Sequence, residues 1–302
     1  MSMTRVACIG EAMIELSLQN GTHIGFAGDT LNTAIYLKRV WPEGQVSYVS
    51  ALGQDSFSDQ MLAYMQDEML DTSHVARISN HVPGLYAITL DSAGERSFTY
   101  WRENSAARQL FGANCAVKLP NLDAFDLLYL SGITVAILPQ HIRDELYQYL
   151  VEFRAQGGKV AFDSNYRPGL WPDQETARNV ISDFWSICDI ALPSLDDEIA
   201  LFGDADQAAV LARLQACGVR SGALKRGAEG PYALGKTVDI DFAQAVDIVD
   251  TTAAGDSFNA GFLAAKLQGK PMEDCLISGH DLATKVIAHA GAILPKNQKN
   301  KR

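Results

Sequence analysis

The sequence predicts an α/β protein with a three-layer α/β/α core, a mainly parallel central sheet and a small additional β-sheet. From about residue 104 onward, short apolar runs alternate with amphipathic helical segments, the pattern of right-handed βαβ units around a parallel sheet. Before that point, segments of period-two hydrophobicity are separated by turn residues, which predicts the small sheet. A chain of 302 residues can bury one large core, so we expect a single domain over residues 1–302.

The composition is typical of a globular protein and excludes several function classes. Hydrophobic residues make up 47% of the chain and charged residues 20%. The net charge of −11 argues against nucleic acid or an anionic membrane as the main partner. Glu11 interrupts the apolar run Val6–Ile9, so we expect no signal peptide or membrane span. The five dispersed cysteines predict reduced, mostly buried thiols in a cytoplasmic protein.

The N-terminal third predicts one core strand, one helix and the small sheet. Val6–Gly10 is typical of a fully buried strand, and a helix is predicted from Leu31 to about Val40, with Asp29 or Thr30 as its N-cap. Asp55 is expected to cap the following helix. The small sheet is assigned to strands at 13–18, 23–26, 85–91 and 96–102, with turns at Asn20-Gly21 and Ser92–Glu95.

The remainder of the chain predicts the parallel core. We expect strands with exit turns at 126–132 and 189–198, a strand at 160–163, a strand entering a glycine-flanked turn at 223–230, and a short buried strand at 245–249. Helices are predicted at 140–156, from about 254 to 267, and at 279–289. Ligands of such sheets bind beyond the carboxyl ends of the strands, where Asn165 and Arg167 lie.

The turn before residue 256 has the composition of an anion site. Ala253, Ala254 and Gly255 carry almost no side chain, so the backbone N–H groups of the helix start are open to a phosphate. Asp256 follows in the first helical turn. Its carboxylate either complements the helix dipole or acts as a general base that deprotonates a hydroxyl while a phosphoryl group arrives.

The run Asp250–Phe258 resembles the C-terminal signature of the PfkB (ribokinase-like) carbohydrate kinases, and further segments extend the resemblance over essentially the whole chain. It implies a ribokinase-like fold in which residues 253–256 form the anion hole and Asp256 is the catalytic base. It also implies ATP as the phosphoryl donor and Mg²⁺ bridging the phosphates. Residues 27–32 resemble the family's N-terminal element, in which Gly28 allows close approach of the sugar while Asp29 and Asn32 bond its hydroxyls.

The segments at 28–32, 84–86, 100–102, 165–168 and 225–227 resemble the branch of the family that acts on the sugar acid 2-keto-3-deoxygluconate. This resemblance implies that the substrate is held by Tyr86, Tyr100, Arg102 and Arg167, with arginine facing the carboxylate. A sugar acid calls for arginine donors, whereas a neutral sugar needs only Asn and Asp. Period two also puts Phe98, Tyr100 and Arg102 on one face, where plain cross-strand packing is the alternative. A kinase of a neutral sugar such as fructose or ribose, or a non-catalytic sugar-binding relative, remain the alternative functions.

Three further expectations concern the nucleotide, the small sheet and the metal. Nucleotide binding is assigned to Asn165, Arg167, Ser194, Lys225, Gly227, Gly230, Ala253, Ala254 and Gly255. The small sheet, formed by about residues 12–27 and 82–102, is expected to be a lid that excludes water, and its exposed aromatic residues predict a homo-oligomer, a dimer through the lid or a larger assembly. The family's Asn-x-x-Glu metal element aligns with Ser194–Asp197, so no metal ligand is assigned.

Overall fold

A computed structural model describes residues 4–17, 23–90 and 96–296. The predicted turns at Asn20-Gly21 and Ser92–Glu95 lie outside these residues, as does the end of the basic C-terminal tail after Lys296.

The large sheet is mainly parallel and forms the centre of the fold. In the described part of the chain it contains eight strands in the order β12-β11-β10-β9-β8-β1-β4-β5. Their bounds are β1 Arg5–Ile9, β4 Gln45–Leu52, β5 Val75–Arg77, β8 Leu127–Ser131, β9 Lys159–Asp163, β10 Ile190–Ala191, β11 Gly222–Leu224 and β12 Tyr232–Leu234. Among these described strands, β11 and β12 pair antiparallel and the other neighbours pair parallel.

Helices cover both faces of this sheet. Their bounds are α1 Asp29–Val40, α2 Ser56–Asp67, α3 Gly132–Ile137, α4 Gln140–Ala155, α5 Gln174–Ile187, α6 Leu195–Phe202, α7 Gln207–Ala216, α8 Ala254–Leu267 and α9 Met272–Ile287. Successive side chains of a strand point to opposite faces. Accordingly, Ala7 and Ile9 of β1 join one buried apolar cluster, and Val6 and Cys8 join the other. The predicted three-layer α/β/α class is therefore confirmed.

The small sheet is separate from the large one. Its strands are β2 Met13–Ser17, β3 His23–Ala27, β6 Gly84–Leu90 and β7 Arg96–Trp101, in the order β3-β2-β6-β7. The outer pairings are antiparallel, whereas β2 and β6 run parallel. β6 and β7 pair Tyr86 with Tyr100. Only two residues of chain separate Gly10, which follows β1, from β2, so the small sheet stands beside the carboxyl end of β1.

Two predicted elements are wrong. Residues 245–249 form no strand, and Val246 is 93% exposed. The backbone N–H groups of Val249 and Asp250 instead donate to the carbonyl of Ile287, at the end of α9. A short apolar run cannot by itself distinguish a strand from a loop that lies along a helix. The last helix begins at Met272, about two turns before the predicted start at residue 279. Pro271 precedes it in the N-cap position.

Several smaller predictions can be compared directly. α1 begins at Asp29, its N-cap is Gly28, and no side chain caps it, so the N-cap assignment to Asp29 or Thr30 is wrong. Asp55 does cap α2, because its carboxylate accepts from the N–H groups of Phe57 and Ser58. All five cysteines are free thiols and four are buried, as predicted. No helix among the described residues has the length and apolar character that a membrane span requires.

Candidate active site

The N-terminus of α8 is built as an open helix start. Its N-cap is Ala253, in the left-handed region with φ 60°, and this residue makes no side-chain capping hydrogen bond to the first turn. The N–H of Ala254 donates to the carbonyl of Thr251 at 3.2 Å, which closes the preceding turn. Uncapped first-turn N–H groups and the helix dipole favour an anion at this position.

Asp256 lies in this first turn and faces α1. The side-chain amide of Asn32 donates to its Oδ2 at 2.8 Å, and the Thr33 hydroxyl donates to its backbone carbonyl at 3.1 Å. Desolvation raises the pKa of the Asp256 carboxyl, and the negative charge of Asp29 raises it further. The hydrogen bond from Asn32 lowers this pKa and so opposes both effects in part. Sequence reasoning named Asp256, Asn32 and Asp29 separately, and the structure brings them together.

The residues around Gly28, which the sequence predicts to bind the sugar, lie next to the small sheet and to the segment after β9. A methyl group at Gly28 would lie 2.2 Å from the carbonyl oxygen of Glu11, so glycine is needed here for close approach of two backbone segments. The carboxylate of Asp29 accepts from the side-chain amide of Asn165 at 2.9 Å. Asn165, predicted to bind nucleotide, therefore contacts a predicted sugar-binding residue. Its own φ of 29° is unusual for a side-chain-bearing residue and bends the chain directly after β9.

A buried polar network beneath the helix start was not predicted. The Asp163 carboxylate accepts from Lys225 Nζ at 2.6 Å, from Asn259 Nδ2 at 2.6 Å and from the Asn165 N–H at 3.1 Å. Asn259 also donates to the Tyr129 hydroxyl at 3.0 Å. One signal was available, because Asp163 is the acidic last residue of β9, at the edge of the sheet where ligands bind.

The small sheet contributes an aromatic face. Tyr86, Phe98 and Tyr100 contact one another with ring centroids 5.9–6.4 Å apart. Tyr86 is buried and its hydroxyl donates to Glu15, whereas Tyr100 is 48% exposed. Burial, the charge of Glu15 and, to a smaller extent, the charge of Asp256 raise the pKa of Tyr86. Phe98 and Tyr100 thus share a face, as period two predicted.

Arg102 forms a buried ion pair, and its predicted contact with the substrate stays a prediction. Its guanidinium, only 7% exposed, is ion-paired with Glu11, which is 1% exposed, and it lies 5.8 Å from the ring centre of Tyr100. The sequence placed Arg102 opposite a substrate carboxylate, but its charge already has a buried protein counter-ion. Arg102 Nε and Glu11 Oε1 are buried without a hydrogen-bond partner among the described residues. Glu11 was noted in the sequence only as an interruption of an apolar run.

Arg167 lies next to the segment Ser194–Asp197, which aligns with the family's metal element. The side chain of Arg167 is 52% exposed, and its Nη1 lies 3.6 Å from Asp197. Burial raises the pKa of Asp197, and Arg167 opposes this. Ser194 is the N-cap residue of α6 and pairs with Lys225 in an isolated parallel bridge. Among the described residues, no group of three or more His, Cys, Asp or Glu side chains has a geometry for holding a metal ion.

The predicted nucleotide turn follows β11. Gly227 and Gly230 have φ of 55° and 75°, so both occupy the left-handed side of backbone space that glycine tolerates. A methyl group at Gly230 would lie 2.7 Å from the ring of Phe242. The turn is therefore compact, and it packs against the segment that leads to α8.

The amino-acid sequence matches the pfkB family of carbohydrate kinases over residues 3–300. The chain belongs to this family.

Curated relatives of this kinase are similar along their whole length. The chain is 46% identical over 302 residues to the 2-dehydro-3-deoxygluconokinase of Escherichia coli K12, with 97% of each chain covered. It is 45% identical to the enzyme of the same name from Dickeya dadantii, with 98% of each chain covered. A fructokinase from Salmonella typhimurium is more distant, at 28% identity over 86% of this chain and 84% of that one.

Solved structures share the fold of this kinase. A PfkB protein from Polaromonas sp. JS666 superposes with a TM-score of 0.81 at 26% identity, over 95% of this chain and 96% of that one. The Vibrio cholerae O395 fructokinase, solved with fructose, ADP and calcium ion, superposes with a TM-score of 0.82 at 23% identity, over 96% and 94%. The ribokinase-like fold predicted from the sequence is thereby confirmed.

Proposed function

We propose that this kinase transfers the γ-phosphoryl group of ATP to the C6 hydroxyl of 2-keto-3-deoxygluconate, also called 2-dehydro-3-deoxygluconate. The products are the 6-phosphate of the sugar acid and ADP. The observation that carries the proposal is the position of Asp256, a carboxylate of raised pKa in the uncapped first turn of α8, hydrogen-bonded by Asn32. Full-length similarity at 45–46% identity to enzymes named for this substrate supports the choice of sugar.

In the proposed reaction Asp256 is the general base. The sugar hydroxyl loses its proton to the Asp256 carboxylate as its oxygen bonds to the γ-phosphorus, and the bond between that phosphorus and the β–γ bridging oxygen breaks to release ADP. A carboxyl group with a raised pKa is better matched to proton transfer near neutral pH than an ordinary aspartate. The charge of Asp29 nearby favours uptake of the proton.

The helix start supplies the complementary stabilisation. Backbone N–H groups at residues 253–256, among which that of Ala254 also donates to the carbonyl of Thr251, would face the charge that develops on the transferred phosphoryl group. Such a donor contributes about 2.7–4 kcal/mol in comparable anion holes. Mg²⁺, when bound, would neutralise the phosphates. Asp197 and Ser194 are oxygen-bearing residues that suit a water-coordinated magnesium ion, which keeps several of its waters in such sites.

The sugar side of the proposal combines core residues and the small sheet. Asp29 and Asn32 are suited to bond hydroxyls, Tyr86 and Tyr100 to pack against the carbon chain, and Arg167 to receive the carboxylate. We also propose that the small sheet closes as a lid and that its exposed Trp101 takes part in an interface between copies of this chain.

One observation favours a neutral sugar as a second candidate. Glu11 neutralises Arg102, so the sheet side of the site offers less net positive charge than its arginine count implies. A fructokinase-like activity is therefore the alternative, in line with the distant similarity to fructokinases.

A coupled assay of ADP release tests the proposal. Mg-ATP is supplied with 2-keto-3-deoxygluconate, fructose or ribose in parallel, and the product position is read by ³¹P NMR. Turnover on the sugar acid alone, with a 6-phosphate product, is the expected result. Turnover on a neutral sugar retains the base role of Asp256 and discards the acid substrate. Intact ATP binding without turnover on any sugar would indicate a non-catalytic sugar-binding relative.

A further inference from the structure

Lys225 holds its ammonium group inside the protein, next to the start of α8. The side chain is 12% exposed and follows β11. Among the described residues, Nζ has two acceptors, Asp163 Oδ2 at 2.6 Å and Asn259 Oδ1 at 3.3 Å. An ammonium group has three N–H bonds, so one remains for a further acceptor.

The ammonium group of Lys225 lies next to the proposed anion hole. A methyl group at Gly255 would lie 3.5 Å from Lys225 Nζ and 3.9 Å from its Cδ. Gly255 follows the first residue of α8, where the phosphoryl group is expected to arrive. Asn259 lies three residues after Asp256 on the same helix, so the group that steadies the ammonium and the proposed base share one face of α8.

A purely structural ion pair is the alternative interpretation. Burying a lysine and an aspartate together costs desolvation that their attraction often fails to recover, so such a pair is weak evidence for a role in stability. Here the pair is also tied to Asn165 and Tyr129, both directly around the site, through the Asp163 carboxylate and the Asn259 amide. A buried cation fixed by a second layer of hydrogen bonds, beside a predicted phosphate position, is the arrangement that phosphoryl transfer uses.

We propose that Lys225 is a catalytic cation that contacts the transferred phosphoryl group, and that Asp163 and Asn259 are positioning residues that hold its ammonium there. This rests on the proposed kinase reaction and deepens it. The γ-phosphoryl group passes from ATP to the sugar oxygen as described above, ADP leaves, and Lys225 takes no part in the proton transfer. Its role is to stabilise the negative charge on the equatorial oxygens during transfer.

The pH profile gives a second readout, the electrostatic coupling of Lys225 and Asp163 to Asp256, beside the nucleotide preference that a structural role would not change. The charged groups that face Asp256 are Asp29 from α1, Asp163 from β9 and Lys225 after β11, with the tyrosines Tyr36, Tyr86 and Tyr129 nearby. Lys225 lowers the pKa of Asp256 and Asp163 raises it. Removal of the lysine charge should therefore move the acid limb of kcat/KM to higher pH, and removal of the aspartate charge should move it to lower pH.

The first experiment measures binding and needs no sugar. Calorimetry compares ADP with the non-hydrolysable β,γ-imido analogue of ATP, both with Mg²⁺, on wild type, Lys225→Met and Asp163→Asn. Because the proposed contact is to the γ-phosphoryl group, Lys225→Met should weaken binding of the ATP analogue at least tenfold more than binding of ADP. Asp163→Asn should show the same preference to a smaller extent. Equal weakening of both nucleotides, or no weakening, would overturn the contact.

The second experiment measures turnover, with whichever sugar the wild type phosphorylates. Lys225→Met is expected to lower kcat about 100-fold or more, with a smaller change in KM for the sugar. Asp163→Asn is expected to lower kcat about tenfold. The acid limb of kcat/KM should move to higher pH in the first variant and to lower pH in the second. Lys236→Met and Asp189→Asn, which break the ion pairs Lys236–Glu273 and Arg154–Asp189 elsewhere, are the matched controls and should leave both limbs unchanged.

The outcomes separate this inference from the proposed function. A wild type that phosphorylates the sugar acid, together with a folded Lys225→Met enzyme that keeps more than a third of kcat, would overturn the role of Lys225 and leave the proposed reaction intact. A wild type active only on a neutral sugar would overturn the acid substrate while the Lys225 test proceeds on that sugar. Lower melting temperatures with an unchanged preference between the ATP analogue and ADP would identify the pair as structural.

Discussion

Asn32 donates a hydrogen bond of 2.8 Å to Asp256, joining α1 to α8 across 224 positions of sequence. The contact sets the orientation of the carboxylate and stabilises its charged form. It also links the predicted sugar-binding segment to the predicted anion hole, so the two halves of the site depend on each other.

Replacement of Asn32 by alanine should change the pH profile in a defined direction. A hydrogen bond to the charged form lowers the pKa of a carboxyl group, so its removal raises the pKa of Asp256 above its already raised position. The acid limb of kcat/KM should then lie about one pH unit higher, and kcat at pH 7 should fall about tenfold. Asn121→Ala, which removes an amide far from the site, is the control. An acid limb that stays in place would contradict the role of this hydrogen bond.

Asp256→Asn should stabilise the folded protein above about pH 5. The folded pKa is raised relative to the unfolded value, so the folded state binds more protons between the two values, and stability falls as pH rises through that window. Asparagine cannot ionise and escapes this loss. Melting curves should show a higher Tm for the variant at pH 8 and converging Tm values toward pH 4. A lower Tm at pH 8 would refute the raised pKa.

Arg102→Ala should distinguish a contact with the substrate from a purely structural ion pair with Glu11. If Arg102 contacts the sugar acid, KM for the acid should rise at least tenfold more than KM for a neutral sugar. The same change leaves Glu11 buried without its counter-ion, which typically costs about 3–5 kcal/mol of stability. Arg39→Ala breaks another partly buried arginine–glutamate pair and controls for stability loss alone. An equal rise in both KM values would show that Arg102 only maintains the fold.

Gly28→Ala should disturb the junction between the core and the small sheet. The added methyl group would lie 2.2 Å from the backbone carbonyl of Glu11, a contact that no rotamer change can relieve. We expect a loss of about 3 kcal/mol in the free energy of unfolding, at the upper end of overpacking effects. Gly169→Ala is the matched control, since a methyl group there meets nothing within 4 Å. Chemical denaturation of both variants measures the difference.

Much of the fold could be predicted because it is encoded locally. The helix over Ala254–Leu267 matches its prediction at both ends, because a small-residue turn precedes it and a glycine follows it. The short strands of the small sheet also follow from period-two alternation. The exposed segment around Val246 was mispredicted because apolar residues alone do not show which face of the molecule they occupy.

The buried network of the site could not be predicted in the same way. Asp163, Lys225 and Asn259 come from three elements whose proximity depends on the strand order β11-β10-β9 and on the packing of α8 over it. The Glu11–Arg102 pair likewise spans 91 positions. Single residues at strand ends can be identified from sequence, but their partners follow only from topology.

The central claim is that Asp256 removes the proton from the sugar hydroxyl. The most direct measurement is kcat of Asp256→Asn with saturating Mg-ATP and 2-keto-3-deoxygluconate, together with nucleotide binding by calorimetry. Asp274→Asn, which alters another first-turn acid, is the control. We expect kcat of Asp256→Asn to fall about 1,000-fold or more while nucleotide affinity stays within about threefold of wild type. Retention of more than about a tenth of the wild-type kcat would contradict the base assignment.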